Sequence, residues 1–458
     1  MSGNAITRQG RPAGRPCRAV WTVKSPEGHE VTFRKIVFYL HLPTGVTAGL
    51  VILSMSVTGV LLAFQRQITA YLDREAATVS PPASDAQRLS LDALVAKARE
   101  AVPEGQPASV ILRPDPTTAA TVSFGREKGV YVDPYTGAVK EGSKAARTFF
   151  REVEDWHRWF GAGEQNRAVW RAVTGACNAA FAFMVVTGFY LWWPRRWTRR
   201  MLRSVAVPDF KLRGRERDWN WHNAFGCWSA PALICITLTG VVMSYPWANN
   251  LIYTLTGSEP PPPRPQESAE GRRGPARADA ERKPRGGENA PGGGGASTET
   301  PWSSPKPASL DTLFAAAVNQ SPRWKTITLR LPQRSAPSVT VTIEEADAPH
   351  PFARSSLTLN AATAGVVKWE PFSGYNLGRR IRSWVRATHT GEAGGLIGQV
   401  IAALAAEVGA VMVCTGLSLA WRRFRNFRTR NARAANVSAE GAAPIPHSVL
   451  SEDANDRG

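Results

Sequence analysis

The sequence predicts an α-helical membrane protein with four transmembrane helices in a duplicated arrangement, plus two small α+β modules outside the bilayer. Three observations predict it. Four long runs are almost free of charge, His41 and His222 open two of them in a common register, and the segments between the runs carry two copies of one helix-and-strand pattern. A mean hydropathy of −0.23 suggests a soluble chain, but that average hides a segregated sequence.

Residues 1–35 form a basic arm with Arg8, Arg11, Arg15, Arg18, Lys24, Arg34 and Lys35. A spanning helix needs about 20 apolar residues, and the first is read over 36–65. That run is too long for the apolar core of a secretory signal and lacks a small-residue cleavage site, so it is read as a retained helix. Residues 66–150 hold the first module. Ser90-Leu91-Asp92-Ala93-Leu94 starts an amphipathic helix, and β-rich runs follow at Ser109–Arg113, Thr121–Phe124 and Val130–Asp133. A pre-helix segment at 151–171 carries His157 ahead of the second span at 172–194. A basic loop at 195–218 leads to the third span at 219–247 and a connector at 248–256. Residues 257–307 are dominated by Pro, Gly, Arg and Glu, a composition that cannot bury a core, and are expected to be a disordered linker. The second module, 308–372, repeats the first from Ser309-Leu310-Asp311-Thr312-Leu313 through runs at Thr326–Leu331, Val339–Ile343 and Ser356–Asn360. Both modules are small for independent stability and are expected to lean on each other or on the membrane. A segment at 373–393 carries His389, the fourth span covers 394–421 with Glu407 inside it, and 422–458 is a tail.

Basic residues set the orientation. They precede the first span, follow the second at Arg195, Arg196, Arg199, Arg200 and Arg203, and follow the fourth at Arg422, Arg423, Arg425, Arg428 and Arg430. Both termini are therefore expected in the cytoplasm and both modules on the outer side of the membrane. Trp192, Trp193, Trp197, Trp221, Trp247 and Trp421 mark the helix ends as interfacial belts do. The formal charge of +19 owes much to these arginines, and no nucleic-acid fold signature accompanies it. Cys177, Cys227, Cys235 and Cys414 lie in apolar spans and Cys17 in the arm, so the external modules fold without disulfides. No CxxC or CxxCH is present, which argues against thiol redox chemistry and covalently attached haem.

The repeat is specific in register. His41, Gly45, Thr58 and Gly59 recur 181 residues later as His222, Gly226, Thr239 and Gly240. At the Ser-Leu-Asp starts the offset is 219, which places 38 extra residues in the linker. Imidazole is a common ligand for metals and haem iron, and a histidine within a bilayer is costly without such a partner. A lone histidine at a helix end is more often a hydrogen-bonded interfacial residue; four in a two-by-two arrangement shift that balance.

Several motifs occur in order: Leu40-His41, Ser56-Val57-Thr58-Gly59, Asp133-Pro134-Tyr135-Thr136-Gly137, Trp156-His157-Arg158-Trp159, and Thr187-Gly188 running to Pro194-Arg195-Arg196. Trp221-His222, Leu238-Thr239-Gly240 and His389-Thr390-Gly391 follow. This set resembles the PepSY-associated transmembrane family of iron-regulated bacterial inner-membrane proteins, over about residues 35–425 without the linker. The resemblance implies PepSY-like external modules and, since members include haem-containing ferrisiderophore reductases, that class of activity. The long linker and Glu407 depart from the usual pattern.

Two haem b groups are then expected, one held by His41 and His222 near the cytoplasmic surface and one by His157 and His389 near the periplasmic surface. Gly45 and Gly226, four residues after the inner histidines, lie on the same helical face and would leave room for a flat macrocycle. Arg195 and Arg196 inside, and Arg158, Arg379, Arg380 and Arg386 outside, are candidate partners for the propionates. Glu407 is read either as a proton relay or haem-tuning group, or as a neutral acid hydrogen-bonded to Ser54, Ser56 or Thr58. His29, His350 and His447 lie in polar or flexible stretches and are set aside. No GxGxxG fingerprint or P-loop occurs, so electrons are expected from a cytoplasmic partner or quinol, and the substrate is expected to be a ferric siderophore or other ferric chelate. The competing reading is a non-enzymatic protein whose modules bind peptides or restrain a peptidase. A permease for iron or its chelate is disfavoured by the scarcity of intramembrane charge.

Overall fold

In the computed structural model the described residues are 22–24, 30–83, 85–125, 128–194, 197–261, 308–331 and 336–441. Cys17, His29, Arg195, Arg196, His447 and most of the linker lie outside them. Along the chain, β1 (Thr22–Lys24) and β2 (Glu30–Thr32) precede α1 (Phe33–Ala63), α2 (Gln65–Leu72), α3 (Arg74–Ala77) and α4 (Leu91–Ala101). Strands β3 (Ser109–Leu112), β4 (Ala120–Ser123), β5 (Gly129–Val132) and β6 (Val139–Glu141) lead to α5 (Lys144–Trp159) and α6 (Arg167–Trp192). Next come α7 (Arg199–Ala206), α8 (Gly214–Ser244), α9 (Pro246–Leu255) and α10 (Leu310–Gln320). The chain continues through β7 (Trp324–Arg330), β8 (Ser338–Glu345), β9 (Arg354–Asn360), β10 (Val366–Glu370), α11 (Leu377–His389) and α12 (Gly395–Gly441).

These elements form two compact units. The first comprises Met1–Thr69, Ala145–Ala248 and Val385–Gly458. Its stretches Phe33–Ala63, Lys144–Trp192, Gly214–Ser244 and Glu392–Arg433 are long and apolar enough to cross a membrane. This is a multi-pass helical membrane protein. Helix α1 packs on α6 and α12, and α8 packs on the same two. The four therefore close into a ring with α1 opposite α8. Small residues let the backbones approach, as membrane packing requires: a Cβ on Gly409 would lie 3.0 Å from Ser56 Oγ, and one on Gly49 would lie 3.4 Å from Val413.

Two breaks place histidines beside this ring. Helix α5 ends just after His157, where Phe160 and Gly161 both take positive φ (54° and 71°). Helix α11 ends at His389, and Gly391 turns the chain at φ 75°. A Cβ on Gly391 would meet Gly398 O at 2.6 Å, so both the turn and the close approach require glycine there.

The second unit, Ala70–Lys144 and Asn249–Trp384, is α+β. Its strands form one antiparallel sheet in the order β10-β9-β8-β7-β3-β4-β5-β6. The first four strands pair in sequence on one side and the last four on the other, joined by β3 and β7 in the register Val110↔Leu329. The two strand sets thus lean on each other by sharing one sheet. Alternate residues such as Val110, Val122, Val130, Ile327, Val341 and Leu357 are fully buried beneath α4 and α10. Each of these helices starts at a serine that caps its own first turn, Ser90 for Ala93 N–H and Ser309 for Thr312 N–H. Each also borrows an acid from the other: Leu91 N–H donates to Asp311, and Leu310 N–H donates to Asp92.

Candidate functional site

Four histidines in the membrane unit meet four Thr-Gly pairs. His41 on α1 has its Nδ1 2.9 Å from Thr187 Oγ1 on α6, and His222 on α8 has its Nδ1 3.0 Å from Thr415 Oγ1 on α12. His157 at the end of α5 reaches Thr58 on α1 at 2.9 Å. His389 at the end of α11 reaches Thr239 on α8 at 3.2 Å and the carbonyl of Ile236 at 3.0 Å. The glycine after each threonine faces the same ring. Cβ atoms built on Gly188, Gly416, Gly59 and Gly240 would lie 3.3, 3.3, 3.6 and 3.2 Å from Cε1 of His41, His222, His157 and His389. The threonine holds the ring and the glycine makes room for it.

This geometry constrains the protons. A hydroxyl has one hydrogen to give. Thr187, Thr415, Thr58 and Thr239 each donate it to the carbonyl four residues back, at 2.8 Å to Phe183, 2.8 Å to Val411, 2.7 Å to Ser54 and 2.6 Å to Cys235. Toward histidine each hydroxyl oxygen is then free to accept. That pattern matches the tautomer with the hydrogen on Nδ1 and the lone pair on Nε2, and the Ile236 carbonyl at 3.0 Å requires it for His389. That is the tautomer of a metal-bound imidazole, whose other nitrogen ordinarily donates to an outer group.

The Nε2 atoms are not sealed. All four histidines are half-buried. Among the described residues the sealed side-chain atoms without a partner are Arg167 Nε and Ser229 Oγ, and no histidine nitrogen. The rings of His157 and His389 lie 6.4 Å apart, centroid to centroid, at 62°. One metal atom between two imidazoles requires about 6 Å, for metal–nitrogen bonds of about 2 Å. His41 and His222 lie within electrostatic reach of one another. These donors fit a haem iron held between two histidines. No cluster of three or more His, Cys, Asp or Glu side chains suited to a bare metal ion occurs among the described residues.

Other expected positions fall differently. Gly45 and Gly226 do not face open space: their Cβ positions would meet Met184 Sδ at 3.2 Å and Met412 Cε at 2.8 Å. The room they leave is filled by methionine. Glu407 makes no hydrogen bond to Ser54, Ser56 or Thr58. It is exposed, and two residues along a helix turn it about 200° from Gly409, which faces Ser56, Phe181 and Leu233. Of the candidate propionate partners, Arg158 pairs with Glu154 and lies over Trp159. Arg379 pairs with Glu370. Burial opposes ionisation of Glu370, but hydrogen bonds from Arg379 and Lys368 outweigh it and hold its carboxyl below the usual range. His350 is 4% exposed, set against Phe352, Phe372 and Trp384, with Phe352 N–H donating to its Nδ1 and Ser383 Oγ 3.3 Å from its Nε2.

Sequence reasoning passes over two groups here. The signal for the threonines is the fourth pair, Thr415-Gly416, which follows Thr187-Gly188 by 228 residues, the same step that separates Met184 from Met412. The second is Asp218, 2% exposed and one turn before His222. It accepts from Ser418 at 2.6 Å and from Arg217 at 2.9 Å, with Arg422 at 3.6 Å, and so ties α8 to α12 beside the His222–Thr415 contact.

No curated protein matches this sequence. A family model described as PepSY-associated TM region matches residues 38–423, spanning all four membrane helices and every histidine of the site. The chain belongs to the PepSY-associated transmembrane family.

Proposed function

We propose that this protein is an inner-membrane di-haem b protein that carries electrons across the bilayer and reduces a ferric chelate, by family resemblance a ferrisiderophore, for iron acquisition. One observation carries the reading: four imidazoles of the membrane unit each meet a Thr-Gly pair through Nδ1, which leaves Nε2 without a protein partner among the described residues. When bound, haem supplies one-electron transfer at a potential set by its axial ligands and burial. His41 and His222 would hold one haem near the cytoplasm, and His157 and His389 the other near the periplasm. The threonines orient the rings and keep them neutral, and the apolar helices exclude water.

Duplication supports the pairing. Sheet order, the reciprocal Asp92 and Asp311 caps, and the repeated His, Met and Thr-Gly positions all fit two halves related by a pseudo-two-fold axis, which brings equivalent residues face to face. Reduction is placed on the periplasmic side, where Fe(III), held strongly by oxygen-rich chelators, becomes Fe(II), held less tightly. Electrons come from quinol or a cytoplasmic donor, with both termini in the cytoplasm under the positive-inside rule.

The test is an absorption spectrum of detergent-purified protein, oxidised and dithionite-reduced, with a pyridine haemochrome assay. Two low-spin b haems per chain, reoxidised by a ferric chelate, are expected. Colourless protein after haem-supplemented expression overturns the reading and moves function to the α+β unit.

A further inference from the structure

Beyond the histidines, a cavity of about 1000 Å³ lies where the chain passes from α7 into α8. Arg200, Arg203, Lys211 and Arg215 line it against two acids, Asp209 and Glu216. None of the four cations forms an ion pair with a described residue. The two acids leave the lining a formal net charge of +2, and Asp209 accepts the backbone N–H of Lys211 at 2.9 Å.

The walls are fixed in place. Asn220, 3% exposed, accepts from Asp209 N–H at 2.7 Å and donates to the carbonyls of Ser204 and Val207 at 2.9 and 3.1 Å. The indoles of Trp192, Trp228 and Trp221 donate to the carbonyls of Val205, Ala206 and Asp209. A cationic cavity held this firmly is a binding site for an anion rather than a loose run of anchoring arginines.

Its position selects the anion. The chain leaves the spanning helix α6 at Trp192 and returns to the membrane through α8, and Trp192 itself bonds α7. The cavity therefore sits at headgroup level. Phe210 of its lining is 72% exposed, and α7 carries Met201 and Leu202, 43% and 40% exposed, on faces turned away from it. A basic helix with such an apolar flank lies in the membrane interface.

We propose that this cavity binds the phosphate of an anionic phospholipid, with the acyl chains leaving it past Phe210. The site is independent of haem content and of which face of the membrane it occupies. The test uses full-length protein in detergent and its thermal unfolding midpoint, titrated with dihexanoyl-phosphatidylglycerol, dihexanoyl-phosphatidylcholine or inorganic phosphate. Phosphatidylglycerol raises the midpoint saturably and the other two do not. At about fivefold per cation, R203Q/R215Q weakens the half-saturating concentration ~25-fold. R425Q/R428Q, which removes basic residues of α12 away from the cavity, leaves it unchanged. If R203Q/R215Q does not fold, R200Q/K211Q takes its place with the same expectation. An equal response in wild type and both cavity variants, an equal loss in R425Q/R428Q, or a full shift with inorganic phosphate alone overturns the lipid site.

Discussion

Replacing Thr187 by valine removes one atom's worth of chemistry from the proposed inner haem site. Valine keeps the shape, and Phe183 O keeps its partner in the helix ladder. Only the acceptor for the His41 Nδ1–H is lost, at 2.9 Å. An unpaired buried donor costs about 1–3 kcal/mol, which matches the ~10–100-fold loss of metal affinity seen when outer partners of a ligand are removed. The four sites should not respond alike. His389 has a second acceptor in Ile236 O at 3.0 Å, closer than Thr239. The carbonyls of Met55 and Met412 stand near His157 and His222 without making a hydrogen bond of good geometry. His41 has no such carbonyl. T187V should therefore lose most haem, T58V and T415V an intermediate amount, and T239V least, while T187S retains it. Haem per chain by pyridine haemochrome and the low-spin spectrum of each variant read this order. Full haem with an unchanged spectrum in T187V, or a greater loss in T239V than in T187V, refutes the tautomer argument.

Other positions give separate tests. E407L should leave haem content and reduction unchanged and raise the unfolding temperature in detergent, because the carboxylate points away from the ring of helices and costs about 2–3 kcal/mol at mid-membrane; a fall in haem would return Glu407 to the site. G391A should cost more than about 3 kcal/mol, since its Cβ meets Gly398 O at 2.6 Å and φ is 75°, and should deplete the haem bound by His389. G394A, with nothing within 4 Å of its Cβ, should be near neutral in the same thermal assay. D218N should destabilise by ~1–2 kcal/mol, less than a fully buried pair would, because Arg217 and Arg422 are each 45% exposed. D92A and D311A should each cost ~1 kcal/mol as lost helix-start acceptors, and an equal unfolding temperature for wild type and both variants would remove that role.

The membrane helices were legible because burial in lipid demands unbroken apolar runs, and the strands because half-buried sheets alternate. The histidines were legible because repeat symmetry put them in register. What those patterns do not encode is who stands opposite whom. Gly45 and Gly226 read as room for a ligand, yet the neighbouring helix brings Met184 and Met412 into that room. Glu407 read as a partner for Ser56, but depth along a helix says nothing of azimuth. The burial of His350 was not legible because its aromatic neighbours come from 372 and 384 as well as 352. The way the two modules lean on each other, through one continuous sheet, was not legible because the β3–β7 pairing joins strands more than 200 residues apart.

The threonine opposite each of the four histidines suits the apolar solvent. A carboxylate would also fix Nδ1–H, and does so in many soluble metal sites, but inside a bilayer it would bring an uncompensated charge and its desolvation cost. A threonine hydroxyl satisfies itself on the preceding turn, as all four do at 2.6–2.8 Å, so it stays neutral and costs little when no ligand is present. With its only hydrogen given to that turn, it accepts from the ring. The apolar environment that makes a histidine expensive thus also favours one tautomer, and the ligand nitrogen is left free. The Thr-Gly pair is therefore the sequence signal to seek in a helix facing a candidate histidine, ahead of any charged residue at its side.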